Sequence, residues 1–386
     1  MNQCTDGTEL DRLMAEGNVT AYAGFDATAD SLHVGHLVVL VAVRRLVASG
    51  HRAIILLGGA TSLVGDPSFR NSTRPVLSAE AVAANVAGIR RNIEGVLGEH
   101  ADDVLFVDNR DWLEGARLID FMRSVGTHFT AARMMSMESV KNRISDGLTM
   151  LELSYMLLQA ADFVELSRRH GCLLQMGGSD QWGNIVNGID LARRVDGKQL
   201  FGLTVPLLTT SDGRKMGKTA DGAVWLSPDK LHPRDFWQFW RNMPDADTER
   251  LLLQLTELPA DRIRNLCANP ATINEAKILL ADEVTSLVHG RNAAIASRSH
   301  AEALFRGGSG AMPLQIQSDG EQIGLLKMLV LAGFATSNSS ARRLVESRAV
   351  KLDGAVVSDP RLSLQRGVPP FIVSVGKRRR TLVKVV

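Results

Sequence analysis

The sequence predicts an α/β protein: a parallel sheet with helices on its faces, then an α-helical segment, then a small basic α+β module. Three observations predict this. Strand-like apolar runs alternate with helical periodicity from Val19 to about Leu208, the pattern of a parallel sheet with crossover helices. From Pro233 to Arg306 the apolar spacing is helical alone. From Glu321 to Val386 there are 12 Lys/Arg against 4 Asp/Glu, a net +8, while the other 320 residues carry 32 against 38, a net −6.

The first element is residues 21–37, AYAGFDATADSLHVGHL. An apolar run ends in Gly24-Phe25-Asp26, polar turn residues follow, and His33-Val34-Gly35-His36 opens an apolar-rich helix. In an open α/β sheet, ligands bind beyond the strand ends, and a helix N-terminus there favours phosphate. Residues 53–57 form a buried-strand run that ends in the turn 58–68. Residues 78–97 have helical spacing, with Val82, Val86, Ile89, Ile93 and Val96 on one side. Residues 104–107 are again strand-like and end at Asp108-Asn109. Residues 127–147 interrupt the alternation as a helical insertion, after which 148–166 reads as helix, 172–176 as strand and 180–194 as helix.

The first domain is accordingly 1–222 and the helical domain 223–305. The Gly- and Ser-rich stretch 306–320 lacks a period and reads as a linker. The last module, 321–386, has two short helices (323–332 and 339–347), a strand 350–352, a turn at Asp353-Gly354 and a hairpin of 371–375 with 380–385.

Bulk composition narrows the class. The chain has 386 residues, 45% hydrophobic and 22% charged, which is globular. No apolar run approaches the roughly 18 residues of a membrane span, and the acidic, polar N-terminus is unlike a secretory signal. Cys4, Cys172 and Cys267 are odd in number and widely spaced, so neither a disulfide framework nor a zinc site is suggested. A cytoplasmic protein is expected. A basic tail on an acidic body points to an anionic partner, nucleic acid in the first place.

Three motifs carry chemistry. His33 and His36 are three apart and share a face at a helix start; two such histidines also serve as caps, and without a third ligand nearby zinc is disfavoured. Gly213-Arg214-Lys215-Met216-Gly217-Lys218-Thr219 sets two lysines three apart in a turn-rich loop, a cationic clamp suited to polyphosphate, although such loops are often only solvated. Residues 176–184, MGGSDQWGN, join a strand to a helix; Asp180 there could accept from a ribose hydroxyl or an amine, or simply cap the helix. On a helix through residues 151–166, Tyr155, Gln159 and Asp162 fall at i, i+4 and i+7. That helix is otherwise apolar, so its polar stripe faces a cavity or an internal network.

Together the motifs YAGFDATADSLHVGH, GGATSLVGDPS, SYMLLQAADF, GGSDQWGN and KMGKT resemble those of the class I aminoacyl-tRNA synthetases, and within them the bacterial tyrosyl-tRNA synthetases. Val34 stands where Ile is commoner, and the clamp ends Gly-Lys-Thr rather than Ser-Lys-Ser. The resemblance implies a Rossmann-like parallel-sheet catalytic domain, an α-helical anticodon-side domain and an S4-type RNA-binding domain. It implies ATP as a substrate with Mg²⁺ and no tightly bound metal, tyrosine and tRNA(Tyr) as the other substrates, and a homodimer.

Residue by residue, the resemblance gives catalytic roles to His33, His36, Thr28, Lys215, Lys218 and Thr219. Tyr22 and Asp162 would hydrogen-bond the phenol hydroxyl, and Tyr155, Gln159 and Asp66 would receive the ammonium group. Gln175 and Gln181 complete the tyrosine set. Gly24, Asp26, Gly35, Gly178, Asp180 and Lys218 would line ATP, and Arg342, Arg343, Arg348, Lys377 and Arg378 would meet RNA. The alternatives are a tryptophanyl-type synthetase and a non-catalytic tRNA-binding paralogue. Tyr22 and Asp162 oppose the first, and the intact His and Lys motifs oppose the second.

Overall fold

The computed structural model describes residues 1–386 except 69–76, 138–139, 142–143, 145–146, 212, 214–215, 217, 220–221, 306–312, 319 and 377–378, and except the side chains of 218–219 and 304–305. The described residues form two compact units, one of Met1–Thr219, Ala223–Lys230 and Leu253–Glu257, the other of Ala220–Gly222, Leu231–Leu252 and Leu258–Val386. The first unit thus runs past residue 222: Leu226 N donates to Leu32 O, and Val34 N to Val224 O.

The first unit is built on a sheet in which, among the described residues, six strands take the order β1-β6-β5-β2-β3-β4. They are β1 (Gln3–Cys4), β2 (Thr20–Asp26), β3 (Arg52–Gly58), β4 (Val104–Asp108), β5 (Leu174–Gly178) and β6 (Phe201–Val205). The strands β2 to β6 are parallel, as the alternation predicts, but β1 adds an antiparallel edge against β6. Two residues are too few to show a period, which is why the sequence pattern misses this edge.

Strand β3 is buried from Ala53 to Gly58 because helices cover both faces, and its unbroken apolar run is the consequence. After the first helix, α1 (Gly7–Glu16), helix α2 (Leu37–Ala48) buries Leu37, Val38, Leu40, Val41, Val43, Leu46 and Val47, each contributing about 1.5–3 kcal/mol. Helix α3 (Ala79–Leu97) starts at Ser78, whose side chain accepts from Ala81 N at 3.2 Å. The long helix Met150–His170 is held at its start by a reciprocal cap between Thr149 and Glu152 and ended by left-handed Gly171.

Strand β2 pairs with β3 on one side and β5 on the other. From β2 the chain winds first towards β4 and later towards β6, so the order reverses at the β2/β5 boundary. A crevice opens at such a reversal beyond the carboxyl ends of the strands, and Asp26 and Gly178 stand at those ends.

In the second unit, helices Pro233–Arg241, Ala260–Ala268, Ile273–His289 and Arg291–Phe305 bury Phe236, Trp237, Trp240, Leu280 and Val284. Trp237 Nε1 donates to Asp282 Oδ1 at 2.7 Å. Among the described residues, the C-terminal module has helices Leu325–Leu331 and Asn338–Glu346 over a five-stranded sheet. Val345, Val350, Val373, Val383 and Val385 share its core. The stretch read as linker needs correcting: Leu314–Ile316 is a strand of that sheet, parallel to Arg379–Val385. A three-residue strand within Gly- and Ser-rich sequence leaves no periodic trace. The sheet also meets the helical segment, where Leu382 and Ile372 pack with Ala303.

Candidate active site

At the end of β2, Gly24 and Asp26 are followed by a turn carrying Thr28 and by the single turn Val34–His36. His33 caps that turn: its Nδ1 accepts from Gly35 N at 3.1 Å, and His36 Nδ1 accepts from His33 N at 3.2 Å. The rings lie 4.2 Å apart between centroids, so the i, i+3 spacing does place them together. A Cβ on Gly35 would meet the His33 ring at 2.8 Å and sit 3.6 Å from Met216 O. Met216, in the centre of the lysine motif, is buried, and its N–H bonds Leu208 O at 2.7 Å. The histidine motif and the centre of the lysine motif therefore meet. Lys215 and the side chains of Lys218 and Thr219 lie outside the described residues.

Strand β5 ends in Gly178, and the turn Ser179–Gln181 presents Asp180 before the helix Trp182–Asp196. Gln181 is a hub. Its Nε2 donates to Asp66 Oδ2 at 2.8 Å, and its Oε1 accepts from Asn184 Nδ2 at 3.1 Å and Gln159 Nε2 at 3.3 Å.

The polar stripe of the long helix is split among four partners. Tyr155 OH donates to Asp26 Oδ2 at 3.0 Å, and Gln159 reaches Gln181. Asp162, 2% exposed, accepts from Trp112 Nε1 at 2.8 Å and from Asn109 Nδ2 at 3.1 Å. Burial pushes its carboxyl up to about 7, helped by the charges of Asp26 and Asp108 and opposed by the bonds from Asn109 and Trp112. Tyr22, 1% exposed, packs its ring at 5.1 Å from Phe163. Burial, and then the nearby Asp162 charge, hold its phenol well above the usual value.

Four buried polar atoms here have no hydrogen-bond partner among the described residues: Tyr22 OH, Gln159 Oε1, Gln175 Oε1 and Asn184 Oδ1. Leaving such an atom unpaired costs on the order of 1–3 kcal/mol. Unpaired atoms of this kind are what a polar ligand with its own donors and acceptors would satisfy.

Sequence reasoning passes over Asn109, Trp112, Thr61 and Asn184. Asn109 has the faint signal of standing just past a strand end, whereas Trp112 has none. On the C-terminal module Arg342, Arg343 and Arg348 are exposed, and Lys377 and Arg378 lie outside the described residues. Among the described residues no group of three or more His, Cys, Asp or Glu could hold a metal ion.

Known proteins align with this picture. The family model "tRNA synthetases class I (W and Y)" matches residues 14–306, and the S4 domain model matches 323–368. A tyrosine–tRNA ligase of Dinoroseobacter shibae is 48% identical, covering 99% of this chain and 94% of its own length. One of Pseudomonas aeruginosa is 47% identical over 98% and 93%. The solved structure of a C-terminally truncated mitochondrial tyrosyl-tRNA synthetase from Aspergillus nidulans has a TM-score of 0.70 at 30% identity, covering 78% of this chain and 89% of that one. A Plasmodium falciparum tryptophanyl-tRNA synthetase shares the fold at a TM-score of 0.56 and 13% identity, over 77% of this chain and 83% of that one. From its strand-end crevice, its paired histidines and these matches, the chain belongs to the class I tRNA synthetases of the W and Y family, on the bacterial tyrosyl branch, and ends in an S4 domain.

Proposed function

We propose that this chain is a tyrosine–tRNA ligase. In the first step a tyrosine carboxylate oxygen attacks the α-phosphorus of ATP, the bond to the β-phosphate bridging oxygen breaks, and pyrophosphate leaves with Mg²⁺. In the second, a hydroxyl of the terminal ribose of tRNA(Tyr) attacks the tyrosyl carbonyl carbon and AMP departs. Such phosphate chemistry needs positioning and charge stabilisation rather than covalent help from the protein.

His33, His36 and Thr28 receive the phosphates from the β2 side, and Lys215 and Lys218, with Thr219 beside them, close from the other. Cationic donors of this kind accelerate the step to the extent that they bind the developing charge more tightly than ground-state ATP. Gly24, Asp26, Gly35, Gly178 and Asp180 line the nucleotide, with Asp180 on the ribose. Asp66, Tyr155 and Gln159 receive the ammonium group, Gln175 and Gln181 flank the rest of the amino acid, and Tyr22 with Asp162 reads the phenol hydroxyl.

The observation that carries the choice of tyrosine is the buried pair Tyr22 and Asp162, an unpaired phenol beside a carboxylate that accepts only. A phenol hydroxyl can donate to Asp162 and accept from Tyr22. Phenylalanine leaves both unmatched, and an indole N–H supplies only the donor.

The basic S4 module, through Arg342, Arg343, Arg348, Lys377 and Arg378, engages tRNA phosphates. Exposed apolar residues between positions 118 and 151, namely Leu118, Ile119, Met122, Met135, Met150 and Leu151, support a homodimer interface there. Among the described residues no helix is long and apolar enough to cross a membrane, and we place the protein in the cytoplasm with its tRNA.

The test is ATP–pyrophosphate exchange without tRNA, with tyrosine, phenylalanine and tryptophan compared. Exchange with tyrosine alone is expected. Exchange driven by tryptophan would move the chain to the sister branch, and none at all would favour a non-catalytic tRNA-binding paralogue.

A further inference from the structure

The chain just past the clamp lysines has no part in the scheme above, yet it lies against the histidine turn. Lys218–Thr219 forms a two-stranded sheet with Gly222–Ala223. Residues 224–226 then pair with the histidine turn itself. Val34 N donates to Val224 O at 2.9 Å, and Leu226 N to Leu32 O at 2.8 Å. Trp225 stands opposite His33 in this antiparallel pairing, and Ser227 N extends it by donating to Ser31 Oγ at 3.1 Å. Val224 and Leu226 are buried, so Trp225 between them lies on the face away from that core. One stretch of chain thus pairs with the clamp at one end and grips the histidine turn at the other.

Trp225 is half-buried and held between two partners. Its ring centre lies 6.4 Å from that of His33, at an interplanar angle of 58°. Lys230 Nζ lies 4.9 Å from the indole centroid, and Asp30 Oδ1 holds it there at 2.5 Å. An exposed pair such as Lys230–Asp30 adds little to stability by itself, but it sets the cation over the ring. Asp30 and His33 both belong to the connection from β2 to α2, so the indole is bracketed by that connection. His33 Nδ1 accepts from Gly35 N, which leaves the proton of the neutral ring on Nε2. The cap fixes one edge of the imidazole, and the indole restricts rotation of the rest. A large aromatic suits this place, because a smaller side chain would leave a gap between His33 and Lys230.

We propose that Trp225 is a positioning residue for adenylate formation, which holds the His33 ring and sets the register between the histidine turn and the clamp. The inference rests on the phosphate roles given above to His33 and Lys218. Donors in a fixed register act where charge develops on the phosphates. Loosening the register therefore lowers the rate of the chemical step and leaves tyrosine affinity alone.

The experiment is single-turnover adenylate formation by the full chain, with tyrosine and ATP varied separately. Trp225→Leu is expected to lower the rate constant by about ten- to a hundredfold, the order of a misplaced positioning contact. The dissociation constant for tyrosine should stay as in the native chain, and Trp225→Phe should restore most of the rate. In a His33→Ala background Trp225→Leu should lose most of its effect, because the ring it holds is gone. Should Trp225→Leu not fold, Lys230→Met carries the same test with a loss of about two- to fivefold, the equivalent of an exposed cation–π contact.

An unchanged rate constant in Trp225→Leu, an equal loss with and without the His33 ring, or a loss confined to tyrosine binding overturns the proposal. Failure of the underlying reading looks different: His33→Ala and Lys218→Ala would then form adenylate as fast as the native chain.

Discussion

Asp162, proposed above to read the phenol hydroxyl, carries a cost to stability. With its titration pushed up to about 7 from an ordinary 3.8, the folded chain holds more protons than the unfolded one between about pH 4 and 7. Stability from this group is therefore present below pH 4 and lost as pH rises to 7. The melting temperature of the ligand-free protein is expected to fall between pH 5 and 8 more steeply in the native chain than in Asp162→Asn. Equal slopes measured by calorimetry would mean that Asp162 titrates normally in the fold. Tyrosine should reverse the trend, since a phenol donor favours the ionised acceptor, and its KM should rise as pH falls below 7. Here the sequence was partly legible. Tyr155, Gln159 and Asp162 stood out by spacing on an apolar helix, whereas Asn109 and Trp112 did not, because the contacts that matter span 53 and 50 positions in the chain.

At the scale of elements, the site depends on close approach between pieces that local sequence does not announce. Helix α3 passes the turn after β2 so tightly that a Cβ on Gly88 would lie 2.1 Å from Asp30 O. Backbone cannot yield as a side-chain tip can, so Gly88→Ala is expected to destabilise the first unit by about 1–3 kcal/mol or more. Urea unfolding checks the stability. Because Asp30 belongs to the turn between Asp26 and His33, pyrophosphate exchange should weaken in the same variant. The paired histidines make a related point. They were legible as a helix-start motif, but their reciprocal capping bonds and 4.2 Å ring spacing depend on a tight single turn before α2 that the apolar pattern of α2 does not reveal.

For the whole molecule, charge is divided between the C-terminal module and the rest of the chain. The C-terminal net of +8 suits phosphate contact, and each such contact contributes roughly 0.7–0.9 to the slope of log affinity against log salt. Replacing Arg342 and Arg343 together with Glu is expected to weaken tRNA charging and to flatten that slope by roughly two. Both side chains are exposed on a helix whose buried face is Ala341 and Val345, so folding should survive the change. Exchange without tRNA should be untouched, and an unaltered salt slope would remove these residues from the RNA surface.

By itself the sequence determined the kind of protein and most of its parts: the alternation that makes a parallel sheet, the helix-start histidines, the polar stripe and the basic end. Each is a local pattern, set by periods of 2 or 3.6 residues, by turn chemistry or by composition. Only the tertiary structure decided that β1 closes the sheet antiparallel, that Leu314–Ile316 is a strand rather than linker, and that Asn109 and Trp112 meet Asp162. These are pairings between distant segments. A two- or three-residue strand, or one buried amide, has no period of its own, and its partner is fixed only when the chain has folded around it.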